Sequence, residues 1–419
     1  MRIESIKQFL SIRRRLSDRL MRNSLFLMLT SLSNAGFGFL FWFIAAQKYI
    51  ASDVGIGAGL LSSIFLIVLV TRCGLDLSLI RYLPTGDKNR IIGTSITVTT
   101  ILAIIIALFF IIGIDFFSPD LGLLKSWGNI ALFLAFILAE SIVWLIGLSF
   151  VAIRRADLYF ILYLFYAIRV VLLLLFVSYG AIGILCSLGV ASIISVFVGL
   201  VLLARMHLRP VYKPERSFLR ESLHFSFGNY IGQTFIWAPT YLLPLLILGT
   251  LGAQQAAYYY VAYSVFTILS IVPNAISTSL FVEGSHGENL EIILRKSIRT
   301  TLLLLTPLVV VVFIGGKWIL SIFGLEYAMG GLELLQVISL ASYFVALNYV
   351  YIAVLRIRNE IRRIVFLSFI ILVSLMSSAT ILSSEMGLIG IGYSWIIAYG
   401  LGCIAILFMI MFPKEEGIP

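Results

Sequence analysis

Apolar stretches of about 20 residues recur along this chain, separated by short polar segments. A helix needs about 20 such residues to cross the hydrocarbon core of a bilayer, whereas the strands of a membrane barrel alternate in hydropathy over about 10 residues. No such alternation dominates here. With 61% hydrophobic and 12% charged residues, the chain has too little polar surface for a water-soluble globule. We therefore predict an all-α integral membrane protein.

The apolar stretches predict twelve membrane-spanning helices. Their approximate bounds are 23–47, 54–79, 91–114, 128–153, 158–179, 181–204, 223–249, 254–282, 296–316, 332–355, 362–383 and 387–412. Residues 1–22, before the first span, are basic with interspersed Ile and Leu. That pattern is typical of a helix that lies on the surface of an anionic membrane, so we predict a cytoplasmic interfacial helix there.

Two copies of one short motif divide the chain into related halves. Gly180-Ala-Ile-Gly-Ile-Leu-Cys-Ser187 is echoed 207 positions later by Gly387-Leu-Ile-Gly-Ile-Gly-Tyr-Ser394. Residues 51–83 and 253–285 match more weakly in hydropathy outline, at an offset of about 202. We therefore predict two six-helix lobes related by an internal repeat, with these bounds: a first lobe at 23–204, a cytoplasmic linker at 205–222, a second lobe at 223–412 and a cytoplasmic tail at 413–419.

The positive charges predict how the chain is oriented in the membrane. The chain has 30 lysines and arginines and a net charge of +10. If the spans alternate in direction, 25 of the 30 lie on the side of the termini and the linker, two lie within spans, and the opposite loops hold only three: Lys48, Lys125 and Lys317. Because lysine and arginine accumulate in cytoplasmic loops, we predict a plasma or inner membrane protein with both termini cytoplasmic. This distribution also argues against nucleic-acid binding as the explanation of the net positive charge.

Four charged residues stand out within the predicted spans, because a charge at mid-helix costs about 2.5–3.5 kcal/mol. Glu140 in span 4 and Arg169 in span 5 each lie 14 residues from the turn at Arg154-Arg155, or about 21 Å from it, so both are expected near the middle of the membrane. Arg72 and Asp76 in span 2 are four residues apart and share a helical face. Each pair has two interpretations: a structural salt bridge, or an arginine that binds a substrate anion beside a carboxylate that takes part in ion coupling.

Uncharged polar residues within the spans are the remaining candidates for substrate binding. They are Asn34 in span 1, Asn229 and Gln233 in span 7, and Asn274 in span 8, which corresponds to Arg72 under the repeat if the offset is 202. Hydrogen bonding between helices is the alternative role for such residues.

Several short motifs resemble those of a known family. Ala51-Ser-Asp-Val-Gly55 and Gly74-Leu-Asp-Leu-Ser-Leu-Ile-Arg-Tyr-Leu83 resemble the first helical hairpin of polysaccharide flippases of the Wzx type. Ile322-Phe-Gly-Leu-Glu-Tyr327 and Gly387-Leu-Ile-Gly-Ile391 are similar to motifs of the same group, which belongs to the multidrug/oligosaccharidyl-lipid/polysaccharide exporter superfamily. The resemblance implies a MATE-like fold with a central cavity lined by bent spans 1 and 7, alternating access, and a polyprenyl-pyrophosphate-linked oligosaccharide as cargo.

We therefore expect a flippase for surface polysaccharide biosynthesis and not an enzyme. No catalytic residue, metal site or cofactor is expected, and the expected partners are the lipid-linked cargo, the bilayer and a coupling ion (proton or sodium), with the protein working as a monomer. The lone cysteines Cys73, Cys186 and Cys403 offer no disulfide or metal-binding spacing. A drug or metabolite exporter of the same superfamily is the alternative. A membrane glycosyltransferase or polymerase is less favoured, because the chain has no sizeable extramembrane loop and no Asp-x-Asp site.

Overall fold

The computed structural model describes residues 2–286 and 288–412, and its regular structure there is helical. Twelve helical segments in this part of the chain are long and apolar enough to cross a membrane. The prediction of an all-α membrane protein with twelve spans is therefore confirmed, whereas the predicted tail at 413–419 lies outside the described residues.

The first lobe contains six spans built from nine α-helices, because short helices follow spans 2 and 3 and span 5 is divided in two. The helices are α1 Arg2–Lys48, α2 Ala51–Thr71, α3 Leu75–Tyr82, α4 Lys88–Ile112, α5 Ile114–Phe117, α6 Trp127–Ala152, α7 Ala156–Tyr166, α8 Arg169–Leu175 and α9 Gly180–Arg205. The predicted interfacial segment 1–22 is continuous with span 1 in α1, and its position relative to a membrane surface stays a prediction.

Span 2 ends earlier than predicted. The prediction extended it to residue 79, but the chain turns after Thr71, where Cys73 and Gly74 have φ angles of +46° and +78°. Two successive residues in the left-handed region cannot continue a right-handed helix, and glycine adopts that region without steric cost. The following residues form α3 as a separate short helix.

The second lobe has one α-helix for each span. The helices are α10 Arg216–Leu251, α11 Ala253–Ser285, α12 Leu290–Ser321, α13 Leu325–Ile357, α14 Ile361–Met386 and α15 Leu388–Met411. Helix α10 begins directly after Pro214 and Glu215, so the non-helical linker is 206–215 and the rest of the predicted linker is helical. Pro239 and Pro244 lie inside α10 without ending it, as is common in membrane helices.

The two lobes use the same packing scheme. In the first lobe α6 packs on α4 and α9, while the divided span α7–α8 packs on α9 and α1. In the second lobe the equivalent helices make the equivalent contacts: α13 packs on α12 and α15, and α14 packs on α15 and α10. The internal repeat predicted from the sequence is thus present in the helix packing.

The two copies of the glycine motif also have the same backbone geometry. Gly180 has a φ angle of +55° and a ψ angle of −136°, and Gly387 has +62° and −139°. Both positions therefore need the conformational freedom of glycine. Gly183 and Gly390 each pack closely on the preceding segment. A Cβ added at Gly183 would lie 2.0 Å from the carbonyl oxygen of Phe176, and one added at Gly390 would lie 2.2 Å from that of Leu382. The motif is therefore a tight turn between consecutive spans, used once in each lobe.

The lobes contact each other along α2 and α10. We call the end of the bundle that carries residues 206–215 the linker end and the opposite end the far end. At the linker end Ser78 and Ser226 share a hydrogen bond of 2.7 Å between their hydroxyl oxygens, and Tyr230 donates one of 2.5 Å to the carbonyl of Val70. Gly74 packs here directly on Ser226.

At the far end the lobes are closed by neutral groups. We call this contact the far-end seal, and its members are Phe39, Trp42, Phe43 and Gln47 from α1, with Tyr260 from α11 and Ile322 and Phe323 from the turn before α13. The Trp42 and Tyr260 ring centroids are 4.1 Å apart, and the Phe323 ring packs edge-on to two α1 phenylalanines at 5.4 and 5.9 Å. Gln47 Nε2 donates a 2.7 Å hydrogen bond to the Ile322 carbonyl.

Toward the linker end, α1 and α11 separate. Among the residues whose side chains are described, no hydrogen bond or ring contact joins these two helices on the linker side of Trp42 and Tyr260. Both helices expose apolar side chains there, with Met28 69%, Leu32 72% and Ile271 57% exposed. The far-end seal therefore joins α1 and α11, whereas no described hydrogen bond or ring contact joins them at the linker end.

Candidate functional site

The first lobe contains a cavity of about 290 Å³. Its wall is formed by all the first-lobe spans except the third, together with α10 and α11 of the second lobe. Its polar and charged lining residues are Asn34, Glu140 and Arg169, and its aromatic lining residues are Phe41, Trp42, Phe65, Trp144, Tyr163, Tyr166, Tyr241 and Tyr260. Two of the four predicted intramembrane charges and one of the four predicted uncharged residues thus meet in one cavity.

Arg169 is the first residue of α8, directly after the break in span 5. At the break, Ile168 and Val170 donate backbone hydrogen bonds to residues three positions earlier, which tightens the turn and ends α7. Interrupted backbone at membrane depth is tolerated where it borders a cavity, as it does here. The predicted span 5 is confirmed as a membrane-spanning segment, Ala156–Leu175, and the structure adds this break within it.

The Arg169 guanidinium is held by neutral groups. Its Nη2 donates a 3.2 Å hydrogen bond to Asn34 Oδ1, and its Cζ lies 4.4 Å from the centroid of the Tyr166 ring. The side chain is 9% exposed, and Nε is buried without a hydrogen-bond partner among the described residues. The guanidinium therefore has donors left for an anion.

Glu140 does not form the direct ion pair with Arg169 that depth alone suggested. Its Oε1 accepts a 3.2 Å hydrogen bond from Tyr166, and its Oε2 accepts a 2.7 Å hydrogen bond from Ser192. Tyr166 therefore lies between the two charges, with its ring against the guanidinium and its hydroxyl on the carboxylate. The charges of Arg169 and Arg72 still act on Glu140 at longer range.

Arg72 caps the linker end of α2 and lies beside the same cavity. Its Cζ is 3.8 Å from the centroid of the Trp144 ring, which forms part of the cavity wall. Like Arg169, it has a buried Nε without a hydrogen-bond partner among the described residues. A cation over an indole face is attracted by the electron density of the ring.

The predicted pair of Arg72 with Asp76 is absent from the ion pairs of the described chain. The turn at Cys73 and Gly74 separates α2 from α3, so the two residues no longer share a helical face. Asp76 lies in the first turn of α3, where its Oδ1 accepts a 2.9 Å hydrogen bond from the Leu77 amide. It is not among the residues that line the cavity.

The predicted polar residues of the second lobe are divided between two environments. Asn274 lines a separate second-lobe cavity. Asn229 and Gln233 lie on the linker-end half of α10, and neither lines the cavities found in the described part of the chain.

The second-lobe cavity has a volume of about 200 Å³ and a different character. Its lining residues from α10, α11, α13 and α15 are aromatic, aliphatic or neutral polar, and none carries a charge. The aromatic ones are Trp237, Tyr263, Phe266, Tyr349, Trp395 and Tyr399. The two lobes thus have the same helix packing, but only the first-lobe cavity is lined by charged residues.

The aromatic residues of the two cavities are not among the candidates that the sequence predicted. One signal was present: Tyr159, Tyr163 and Tyr166 are spaced four and three residues apart, which aligns them on one face of α7. Their rings contact in sequence, with centroids 4.8 and 5.8 Å apart. Ser192 and Trp144 gave no comparable signal.

The first-lobe cavity combines one positive and one negative charge with neutral hydrogen-bonding groups. The described part of the chain holds no group of three or more His, Cys, Asp or Glu residues that could bind a metal ion. The wall instead presents the Arg169 guanidinium, the Glu140 carboxylate, the Asn34 amide and several phenols, and Arg72 lies beside it against the Trp144 ring. Guanidinium groups stabilise a phosphate by charge-assisted hydrogen bonds.

Solved structures similar to this one are membrane transporters. The lipid II flippase MurJ in an inward closed conformation matches with a TM-score of 0.73 and 13% identity, covering 93% of this chain and 87% of that one. A multidrug resistance MATE family transporter of the MOP superfamily matches in its inward-facing conformation with a TM-score of 0.71 and 14% identity, covering 95% of this chain and 100% of that one. An outward-facing conformation of such a transporter matches with a TM-score of 0.63 and 13% identity, covering 94% and 95%. These likenesses establish the MATE-like fold that the sequence motifs implied.

Among curated proteins no sequence matches this chain. A family model described as polysaccharide biosynthesis protein matches residues 20–281, which is more than half of the chain. The match covers the whole first lobe and the first two spans of the second, including both charged residues of the first-lobe cavity. This multi-pass membrane protein therefore belongs to the polysaccharide biosynthesis protein family, the group of the Wzx-type flippases that its motifs resemble.

Proposed function

We propose that this protein is a flippase that moves a polyprenyl-pyrophosphate-linked oligosaccharide from the cytoplasmic to the outer leaflet. The observation that carries the proposal is Arg169, a buried guanidinium in the wall of the first-lobe cavity that no carboxylate neutralises directly. A charge at this depth is costly, so it is expected to have a function. A pyrophosphate group is the ligand whose geometry and charge fit it best.

The opening between α1 and α11 supports a lipid-linked cargo. A flippase must move a polar headgroup through the protein while the polyprenyl tail stays in the bilayer. Exposed apolar side chains border this opening on both helices. The headgroup is able to enter the cavity there without the tail leaving lipid.

The charge distribution gives the proposal its direction. The linker end carries the predicted cytoplasmic loops, so we infer that the cavity is open to the cytoplasm and that the far-end seal faces outward. Cargo would be loaded from the cytoplasmic leaflet, and transport would require the far-end seal to separate.

The roles of the carboxylates follow from their surroundings. Glu140, 7% exposed and facing the cavity, is the candidate residue for binding a coupling ion, either a proton or sodium. Asp76 lies away from the cavity, so we assign it no part in coupling. A cationic drug would instead use Glu140, which also lines the cavity, so the drug exporter is the alternative function.

Reconstitution in liposomes tests the proposal. The cargo is a polyprenyl-pyrophosphate-linked oligosaccharide with a fluorescent sugar label, and movement is followed by the fraction of label that a membrane-impermeant reductant can reach. We expect the protein to raise the rate of exchange well above that of protein-free liposomes, and Arg169→Met to remove the increase. Export of cationic drugs with no movement of the glycolipid would contradict the proposal and support the alternative exporter function.

A further inference from the structure

We propose that the second-lobe cavity is a binding subsite for a neutral sugar ring of the cargo, separate from the anion site of the first lobe. The inference rests on the proposed flippase function and adds to it a second point of recognition. It starts from the contrast between two cavities in lobes that share one helix packing: one is lined by charge, the other by aromatic rings without charge.

The aromatic wall of the second-lobe cavity is rigid. The Trp395 and Tyr399 rings are parallel within 6°, with centroids 5.4 Å apart. Tyr263 and Phe266 pack on Trp395 at 5.7 and 5.2 Å. Trp395 is only 3% exposed, so it supports the wall from behind.

Three rings, including that of Tyr263, are accessible from the cavity. Trp237 on α10 is 47% exposed, and Tyr263 and Tyr349 are half-buried. They come from three different helices, so they present rings to the cavity from several sides. Tyr263 and Tyr349 also pack on the hydrophobic core, so only the exposed part of each ring is available to a ligand.

The mixture of rings and neutral polar groups suits a sugar. One face of a pyranose ring carries C–H groups that pack on an aromatic face, while its hydroxyl groups need hydrogen-bond partners. The neutral polar residues of the cavity wall provide those partners: Thr240, Thr267, Ser270 and Asn274. The absence of charge from the lining makes the cavity unsuited to the pyrophosphate.

The volume limits what the subsite can hold. Its 200 Å³ lies below the range of about 300–1,000 Å³ that is typical of pockets for whole drug-sized ligands. We therefore assign to it a single sugar residue and not the whole oligosaccharide. The pyrophosphate in the first lobe and a sugar in the second would then bridge the two lobes.

Binding measurements with two lipids test this division. The probes are a polyprenyl pyrophosphate that carries one N-acetylglucosamine and the same polyprenyl pyrophosphate without a sugar, each titrated against the full-length protein in nanodiscs. We expect Trp237→Leu and Tyr349→Leu each to weaken binding of the sugar-bearing lipid about tenfold and to leave binding of the sugar-free lipid unchanged. Arg169→Met should weaken binding of both.

The matched control is Trp318→Leu, which removes a tryptophan that is 71% exposed at the far end of α12 and outside both cavities. It should change neither affinity. Equal losses for both lipids in the Trp237 and Tyr349 variants, or no loss for either, would overturn the sugar subsite while leaving the proposed function intact. If the unaltered protein binds neither lipid, the proposed function itself is contradicted, and the subsite with it.

Discussion

Tyr166 donates a hydrogen bond of 3.2 Å to the carboxylate of Glu140, and this bond takes the place of the ion pair that depth in the membrane suggested. The same tyrosine ring lies against the Arg169 guanidinium. Neither charge therefore depends on direct neutralisation by the other. The arginine is held by rings and an amide, and the glutamate by hydroxyl groups.

The first prediction concerns the coupling between these two charges. Removing one partner of a direct buried ion pair costs about 3–5 kcal/mol, because the other charge is left unpaired. Here we expect Arg169→Met and Glu140→Gln to have nearly additive effects on unfolding, with an interaction free energy below about 1 kcal/mol. A double-mutant cycle measured by thermal unfolding in detergent checks this, and a coupling of 3 kcal/mol or more would support a direct pair.

The second prediction separates charge from geometry at Arg169. Lysine keeps the positive charge but has no planar fork to lie against Tyr166 while it bonds Asn34 and a phosphate. We expect Arg169→Lys to be produced at the normal level and to export glycan at less than a tenth of the normal rate in a strain that lacks its own flippase. Full export by this variant would mean that a point charge is sufficient.

The third prediction concerns orientation in the membrane. Cysteines placed at Lys125 and at Met329, which is 79% exposed, should react with an impermeant maleimide in intact cells. One placed at Lys213 in the linker should react only after permeabilisation. Labelling of Lys213→Cys in intact cells would show that the linker lies outside and that the predicted topology is wrong.

That experiment needs a chain without its native thiols, and the structure suggests the replacements. Burial raises the pKa of the Cys73 thiol, so little thiolate is present near pH 7 and its background reaction is slow. Because Cys73 has a φ of +46°, glycine suits the position better than serine or alanine. Cys403 accepts a 3.4 Å hydrogen bond from Asn348, so serine is the better replacement there.

The fourth prediction tests close packing between the lobes. A Cβ added at Gly55 would lie 1.7 Å from the carbonyl oxygen of Ala253, where α2 meets α11. We expect Gly55→Ala to destabilise the protein by about 1–3 kcal/mol through overpacking. Gly400→Ala in α15 is the control, because a Cβ added there meets no atom within 4 Å. This substitution should leave the free energy of unfolding unchanged or raise it slightly. Equal unfolding temperatures for the two variants would contradict the close contact.

The fifth prediction concerns the contact between α3 and α10. If transport closes the linker end as the far end opens, the contact between Ser78 and Ser226 has no reason to separate at any stage. A disulfide formed in Ser78→Cys with Ser226→Cys should therefore leave glycan export close to normal. Loss of export on oxidation that a reductant reverses would show that this contact opens during transport.

Much of the fold could be predicted because the hydropathy of a segment and the glycine motif are both recognised from neighbouring residues in the sequence. Segment length identified the spans, and the repeat of Gly180 at Gly387 identified the lobes. The site was predicted less well. Counting residues gives the depth of Glu140 and Arg169 but not the direction in which each points, and the break before Arg169 alters that direction. The turn after Thr71 depends on a left-handed cysteine, which has no sequence signature, and the second-lobe aromatic residues come together only through tertiary packing.

The far-end seal has a consequence for how the transporter responds to its surroundings. Its described contacts are ring against ring and one amide on a backbone carbonyl, with no ion pair among them. Dissolved salt screens interactions between charges and has little effect on contacts of this kind. We therefore expect the far-end seal to hold equally well in dilute and concentrated salt, so that a change in ionic strength would not by itself release it.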